Sequence, residues 1–182
     1  MGRPRGFDEA DVVRSAAKLF AIRTYDGTSV DDLVSHLGVH RNSLYKTFGS
    51  KRGLYLAALK WSLDHEVTGV AERVAEAGGH AEVTYEALAD AVTGTELDLV
   101  LLAAVERAPV DAEVARLVGE ALTVLDRAVG DAGRAAENVD TRAAPAAATA
   151  LLIGLRTRAR SGTTDEGIIR AGVGLAQRLG QP

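Results

Sequence analysis

The sequence predicts an all-α protein in two parts: a three-helix N-terminal domain and a larger helical C-terminal domain. Three observations carry this. Apolar residues recur at helical spacing along the 182-residue chain, with no strand-like alternation. Gly, Pro, Asn, Asp, Ser and Thr clusters punctuate that pattern about once per helix. Charge divides with it: residues 1–60 hold 10 Lys and Arg against 6 Asp and Glu, a net of +4. Residues 61–182 hold 11 against 19, a net of −8, and all four lysines lie in the first 60 residues. A basic head and an acidic body suit a polyanionic partner at one end only.

Residues 1–7 read as a basic arm. A first helix is predicted over 8–23, with Asp8, Glu9 and Asp11 at its positive N-terminal end. Its apolar stripe is Val13, Ala16, Ala17, Leu19 and Phe20. Asp26 and Gly27 break the chain, and Thr28 or Ser29 caps the next helix. The run TSVDDLVSHLGVHRNSLYKTF over 28–48 is the most informative stretch. Val30, Leu33, Val34 and Leu37 share one helical face, and Gly38 stops that helix with a positive φ. Val39, Leu44 and Phe48 then form the inner face of a second, shorter helix. Ser50 caps a fourth helix that extends toward Gly78 and Gly79.

The body reads as further helices. One lies near 81–91. Another covers 96–107, with Leu97, Val100, Leu101, Ala104 and Val105 inward, and ends before Pro109. Asp111 caps a long helix through Val114, Leu117, Val118, Ala121, Leu122, Leu125 and Val129 toward 136, and 138–141 is a loop. A helix over 144–161 holds Pro145 in its first turn, where a missing N–H is tolerated. A turn at 161–163 leads to a last helix over 165–179.

Composition excludes several classes. A chain that is 47% hydrophobic and 25% charged is globular. With no cysteine there is no disulfide framework, thiolate nucleophile or zinc–cysteine site. No apolar run approaches 18 residues, so no membrane span is expected. The basic first residues carry no apolar signal segment, and a cytoplasmic address is the simple expectation. No phosphate loop or nucleophile–base pair is visible, so no catalytic residue, cofactor or metal is expected. His36 and His40 have the i, i+4 spacing of metal ligands, but Gly38 ends the helix between them.

The two helices over 28–48 have the pattern of a helix-turn-helix, which points to a DNA-binding regulator. The outward side of the second carries His40, Arg41, Asn42, Ser43, Tyr45 and Lys46. These groups bind phosphates and base edges, on a helix narrow enough for a major groove. Arg41 and Asn42 open that helix; Arg is able to read guanine and Asn adenine, and the alternative is that both touch phosphate only. His40 caps the helix, meets phosphate or reads a base, and the residues do not rank these. Lys46 leans outward to phosphate. Lys51 starts the fourth helix, where free N–H groups favour a phosphate. Arg3 and Arg5 suit a narrow A·T-rich minor groove, or else a solvated tail.

The same residues carry a resemblance. Gly27, Thr28, Ser29, Leu33, Gly38, Val39, Ser43, Leu44, Tyr45, Phe48, Ser50, Lys51 and Leu54 resemble the N-terminal signature of TetR-family transcriptional regulators. The match extends upstream through residues 2–5 and Ala16, Ala17, Leu19 and Phe20, and covers roughly residues 2–60. It implies a DNA-binding domain over 6–66, with its helix-turn-helix at 29–48, and an effector-binding and dimerisation domain over 67–182. It places Tyr45 against the DNA backbone, with a partly buried core tyrosine as the alternative. Thr28, Ser29 and Ser43 are weaker contacts, since capping alone explains the first two. Arg52 departs from the family, which often has an acidic residue nearby.

For the body, the resemblance implies a homodimer through the last two helices, about 144–161 and 165–179. Their Ala- and Gly-rich faces permit close approach. It also implies a small apolar effector between body helices. Trp61 with His65 one helical turn on, and Tyr85, are candidate contacts, the alternative being that Trp61 is an ordinary packing residue. The expected function is a ligand-responsive repressor that binds a palindromic double-stranded operator as a dimer. The alternative is an architectural DNA-binding protein without an effector.

Overall fold

The computed structural model describes residues 8–77, 80–134 and 144–179, and every regular element among them is helical. In chain order these are α1 (Glu9–Arg23), α2 (Val30–Leu37), α3 (Arg41–Phe48) and α4 (Lys51–Ser62). After a π-helical turn at Leu63–Val67 come α5 (Thr68–Glu76), α6 (Ala81–Thr93) and α7 (Asp98–Glu106). Then follow α8 (Ala112–Arg134), α9 (Ala144–Arg160) and α10 (Glu166–Leu179). The arm over 1–7, the Gly78–Gly79 break and the loop at 138–141 lie outside the described residues, so Arg3 and Arg5 do too.

Two compact units share the chain. The first takes the chain through His65 together with Asp98–Val118; the second takes Glu66–Leu97 and the chain from Gly119. The division is therefore not a single cut near 66. Residues 98–118, which the sequence groups with the body, fold with the first unit because α7 packs on α1 and α4.

The helix starts are local chemistry. The Asp8 carboxylate accepts from the N–H groups of Ala10 and Asp11. Ser29 caps α2 in a reciprocal box, its Oγ accepting from Asp32 N–H while the Asp32 carboxylate accepts from Ser29 N–H. Thr28 is not the cap: it is buried, and its hydroxyl donates to the Thr24 carbonyl at 2.7 Å. Ser50 caps α4, Asp111 caps α8 and Asp165 accepts from Ile168 N–H at the start of α10.

The first unit's core is Ala16, Phe20, Leu33, Leu44, Leu54, Tyr55, Ala58, Leu59, Leu99 and Ala103, each about fully buried. Phe20 and Tyr55 meet edge to face with centroids 5.0 Å apart, and Tyr25 joins Tyr55 at 4.9 Å. Two expected core positions shift. In α1 the buried residue is Val12 rather than Val13, because Val12, Ala16, Leu19 and Phe20 complete one face. In α7 the inner face is Leu99, Val100 and Ala103; Val105, two residues past Ala103, points away and is 81% exposed.

The second unit buries Val74, Leu88, Val92, Ala128, Ala148, Leu152, Leu155, Val173 and Ala176 in one cluster. Here α9 packs on α10 and α6, and α6 also meets α5 and α10. Arg156 is buried in this unit, and its guanidinium donates to the Val92 and Thr93 carbonyls at the end of α6. There it satisfies helix-end acceptors.

Candidate nucleic-acid interface

Two helices and a three-residue link build the site in the first unit. Gly38 ends α2 at φ 64°, a left-handed position that favours glycine. The chain returns to extended backbone at His40, whose carbonyl accepts from Ser43 and Leu44 N–H at 2.9 and 3.0 Å. Leu33 from α2 and Leu44 from α3 are completely buried, and they hold the pair together. Phe48, half-buried, closes the inner side of α3.

With Leu44 inward, His40, Arg41, Asn42, Tyr45 and Lys46 are exposed, and Ser43 is half-buried. Helical geometry puts Arg41, Asn42 and Tyr45 on one outward surface. Tyr45 is 38% exposed, so its ring is partly packed and the rest of the side chain meets solvent. His40 stands at the cap position, but its side chain makes no capping hydrogen bond.

Several of these groups already have partners. The Arg41 guanidinium donates through Nη2 to Asp31 Oδ1, from α3 across to the first turn of α2. That hydrogen bond and the carboxylate charge raise the Arg41 pKa further. Arg23 bridges to Asp32 at 3.1 Å, and the hydrogen bonds from Ser29 hold the Asp32 carboxyl below its ordinary range. Lys51 opens α4 with its Nζ over the Tyr25 ring, 4.1 Å from the centroid. Burial pushes the Tyr25 hydroxyl up.

The support of this surface was not visible in the sequence. Glu106, at the end of α7, accepts from the N–H groups of Tyr25 and Asp26 at 2.8 and 2.7 Å. It thereby fixes the turn that enters α2, where Thr24 has a φ of 64°. Arg52, the departure noted in the sequence, is bound to Asp111 by two hydrogen bonds. Arg107 lies over the Tyr25 ring, 4.6 Å from the centroid. Partners 59 to 82 residues apart leave no spacing signal.

His36 and His40 lie on either side of the Gly38 turn, and His36 Nε2 sits 3.2 Å from the Ser15 hydroxyl. Among the described residues no group of three His, Cys, Asp or Glu side chains is arranged to hold a metal. Nor is any described helix long and apolar enough to cross a membrane.

The second unit contains an apolar cavity of about 20 Å³, lined by Val74, Leu97, Leu125, Thr149, Leu152, Ile153 and neighbouring residues. Trp61, His65 and Tyr85 are not among its lining residues. Trp61 and His65 belong to the first unit. Their rings stack 5.0 Å apart, and His65 Nδ1 donates to the Trp61 carbonyl at 2.9 Å. Tyr85 packs half-buried against the core of the second unit and hydrogen-bonds Arg170.

Comparison with known proteins agrees with this geometry. The family model for bacterial regulatory proteins of the tetR family matches residues 12–58. The chain is 37% identical over 122 residues to the HTH-type transcriptional regulator YezE of Bacillus subtilis (strain 168), covering 64% of this chain and 63% of that protein. It is 32% identical over 90 residues to the HTH-type transcriptional repressor BdcR of Escherichia coli (strain K12), covering 50% of this chain and 46% of that one. The chain thus spans less than two thirds of the length of either relative. Among solved structures it is similar to a cysteine mutant of the TetR family transcriptional regulator CifR complexed with 26-bp double-strand operator DNA. That match has 27% identity and a TM-score of 0.80 over 97% of this chain and 98% of that one.

Proposed function

This chain belongs to the TetR family of bacterial regulatory proteins, and from that premise we propose that it is a sequence-specific transcriptional repressor. It binds a palindromic operator as a dimer and responds to a small molecule. The observation that carries the reading is the outward face of α3, where Arg41, Asn42, Tyr45 and Lys46 are exposed while Leu44 anchors the helix from within. Arg41 and Asn42, at the N-terminal end of the helix, are the base-reading residues. His40, Ser43, Tyr45, Lys46, Lys51 and Ser29 at the α2 start supply contacts to the DNA backbone, with Arg3 and Arg5 reaching the minor groove. Thr28, being buried, acts through its turn rather than by direct contact.

Two copies are needed to read two half-sites about 34 Å apart. We assign the pairing to α9 and α10, whose Ala147, Ala150, Gly154, Gly167 and Ala171 are exposed in the single chain. We place the effector in the second unit, where the cavity has an apolar lining that favours a neutral, apolar molecule. The cavity is about one water in size, so the helices around it must part to admit a ligand. Occupancy then shifts binding only by the ligand's differential affinity for the DNA-competent and incompetent states. This reading gives the protein no catalytic group and puts it where the DNA is, in the cytoplasm. Architectural binding without an effector, the alternative left open by the sequence, has no support among the similar proteins.

The deciding experiment is selection of binding sites from random duplex DNA with the purified protein. A palindrome with half-sites one helical turn apart is the expected product. Salt-dependent binding without enrichment of any sequence would replace the reading with non-specific DNA binding.

A further inference from the structure

Asp31 stands where a DNA-binding surface ought to avoid negative charge. It lies in the first turn of α2 with a side chain 81% exposed, beside a helix whose outward face is meant for a polyanion. Its partner is Arg41, the first residue of α3, whose side chain is 48% exposed. The pairing is single-pointed: Asp31 Oδ1 accepts from Nη2 alone. An isolated surface ion pair of this kind contributes little to stability. It does fix the direction of a long, rotatable side chain before any ligand arrives.

We infer that Asp31 is a positioning residue for base reading: its carboxylate holds one edge of the Arg41 guanidinium so that the other edge is presented to a guanine in the major groove. This rests on the reading of α3 as the base-contacting helix. A guanidinium carries five N–H donors in a rigid planar fork. One donor spent on Asp31 leaves Nη1 and the second Nη2 hydrogen for guanine O6 and N7. Immobilising the side chain in the free protein removes part of the ordering cost at binding. Partial neutralisation of Arg41 has a second effect. It deters the guanidinium from settling on the nearest phosphate, a contact that carries no sequence information.

The two effects have opposite signs, and that makes the inference testable. Asp31→Asn and Asp31→Ala remove a negative charge, so binding to random duplex DNA is expected to tighten. Its salt dependence is expected to steepen by up to about one phosphate equivalent. Discrimination at the one base pair read by Arg41 is expected to fall by about ten-fold, with the other operator positions unchanged. Asp31→Glu keeps the charge and restores part of the discrimination.

The measurement is the base preference at every operator position for the full-length wild type, the Asp31 variants, Arg41→Ala and the double variant Asp31→Ala/Arg41→Ala. Position-specific loss in the Asp31 variants that is absent on the Arg41→Ala background supports the inference. Retained discrimination in Asp31→Asn and Asp31→Ala, with loss in Arg41→Ala, overturns it and leaves base reading intact. A uniform loss at all positions, with a lowered unfolding midpoint, also overturns it, since Asp31 then acts only on α2 stability. If Arg41→Ala leaves every preference unchanged, the base-reading assignment itself fails and takes this inference with it.

Discussion

Arg52 and Asp111, 59 residues apart, meet edge to edge: Nε donates to Oδ2 at 2.7 Å and Nη2 to Oδ1 at 2.8 Å. The same carboxylate accepts from the N–H groups of Glu113 and Val114 and so caps α8. Asp111 is 7% exposed at its side chain, while Arg52 is 49% exposed. One buried carboxylate therefore joins the first turn of α4, next to the helix-turn-helix, to the first turn of α8. Planar two-point geometry and a buried acceptor distinguish this pair from the exposed bridges elsewhere on the surface.

The Asp111 pair predicts an acid sensitivity with a definite sign. The Arg52 hydrogen bond, opposed by burial and aided by the helix N–H groups, holds the Asp111 carboxyl down from 3.8 to about 2. A depressed carboxyl adds stability that is complete above the ordinary value and lost as pH falls through the folded one. Asp111→Asn is therefore expected to lower the denaturant midpoint at neutral pH. The difference from wild type should shrink as pH falls from about 4 toward 2. A difference that stays constant over that window would sink the assignment.

Glu106 predicts a local effect. Its carboxylate is the acceptor for the Tyr25 and Asp26 amides, in a turn that also contains a non-glycine residue at positive φ. Glu106→Ala leaves both N–H groups without that acceptor, at a cost of about 1–3 kcal/mol. Hydrogen exchange at Tyr25 and Asp26 is expected to accelerate strongly, and operator affinity to fall because the entry to α2 loosens. Unchanged protection at those two amides would mean that the turn is held by its own backbone.

The parts of this molecule that were legible in the sequence are those whose partners lie within one helical turn. Ser29, Ser50 and Asp111 were readable as caps because a cap reaches only two or three residues. Gly38 was readable as a stop because its side-chain-free backbone is needed there. The outward set on α3 followed from Leu44 and Phe48 facing inward. Val105 was misplaced because a nine-residue helix rich in apolar residues permits more than one phase. Asp31, Glu106 and Arg107 went unnoticed, since a charged residue does not announce a partner elsewhere in the fold. Trp61 and His65 were noticed as residue types; they stack on each other in the first unit and are not among the residues that line the cavity.

Two glycines of α10 predict contrasting behaviour. A methyl added at Gly172 would lie 2.6 Å from Leu155 Cδ1 and 2.7 Å from Cδ2, whereas one at Gly174 meets nothing within 4 Å. Leu155 is buried in the core of the second unit and has little room to retreat. Gly172→Ala is expected to cost about 1–3 kcal/mol from overpacking, offset only in part by a helix-propensity gain of up to about 1 kcal/mol. Gly174→Ala keeps that gain without the clash within the chain. Equal unfolding midpoints for the two variants at one protein concentration would show that α9 and α10 do not approach this closely.

Lys51 provides a test of how the free surface becomes a bound one. In the free chain its ammonium sits 4.1 Å from the Tyr25 ring centroid, at the start of a helix capped by Ser50. A cation–π contact at a partly exposed site is worth about 0.5–1 kcal/mol, little enough to be exchanged for a phosphate. The helix start adds unpaired N–H groups and a positive dipole end that favour the same anion. Lys51→Ala is therefore expected to weaken binding to operator and random DNA alike. It should reduce the slope of log affinity against log salt by about 0.9, the equivalent of one phosphate. Base preferences should not change, because a phosphate contact does not distinguish sequences. A salt slope equal to that of the wild type would leave Lys51 on Tyr25 in the complex and limit its role to holding the turn before α2.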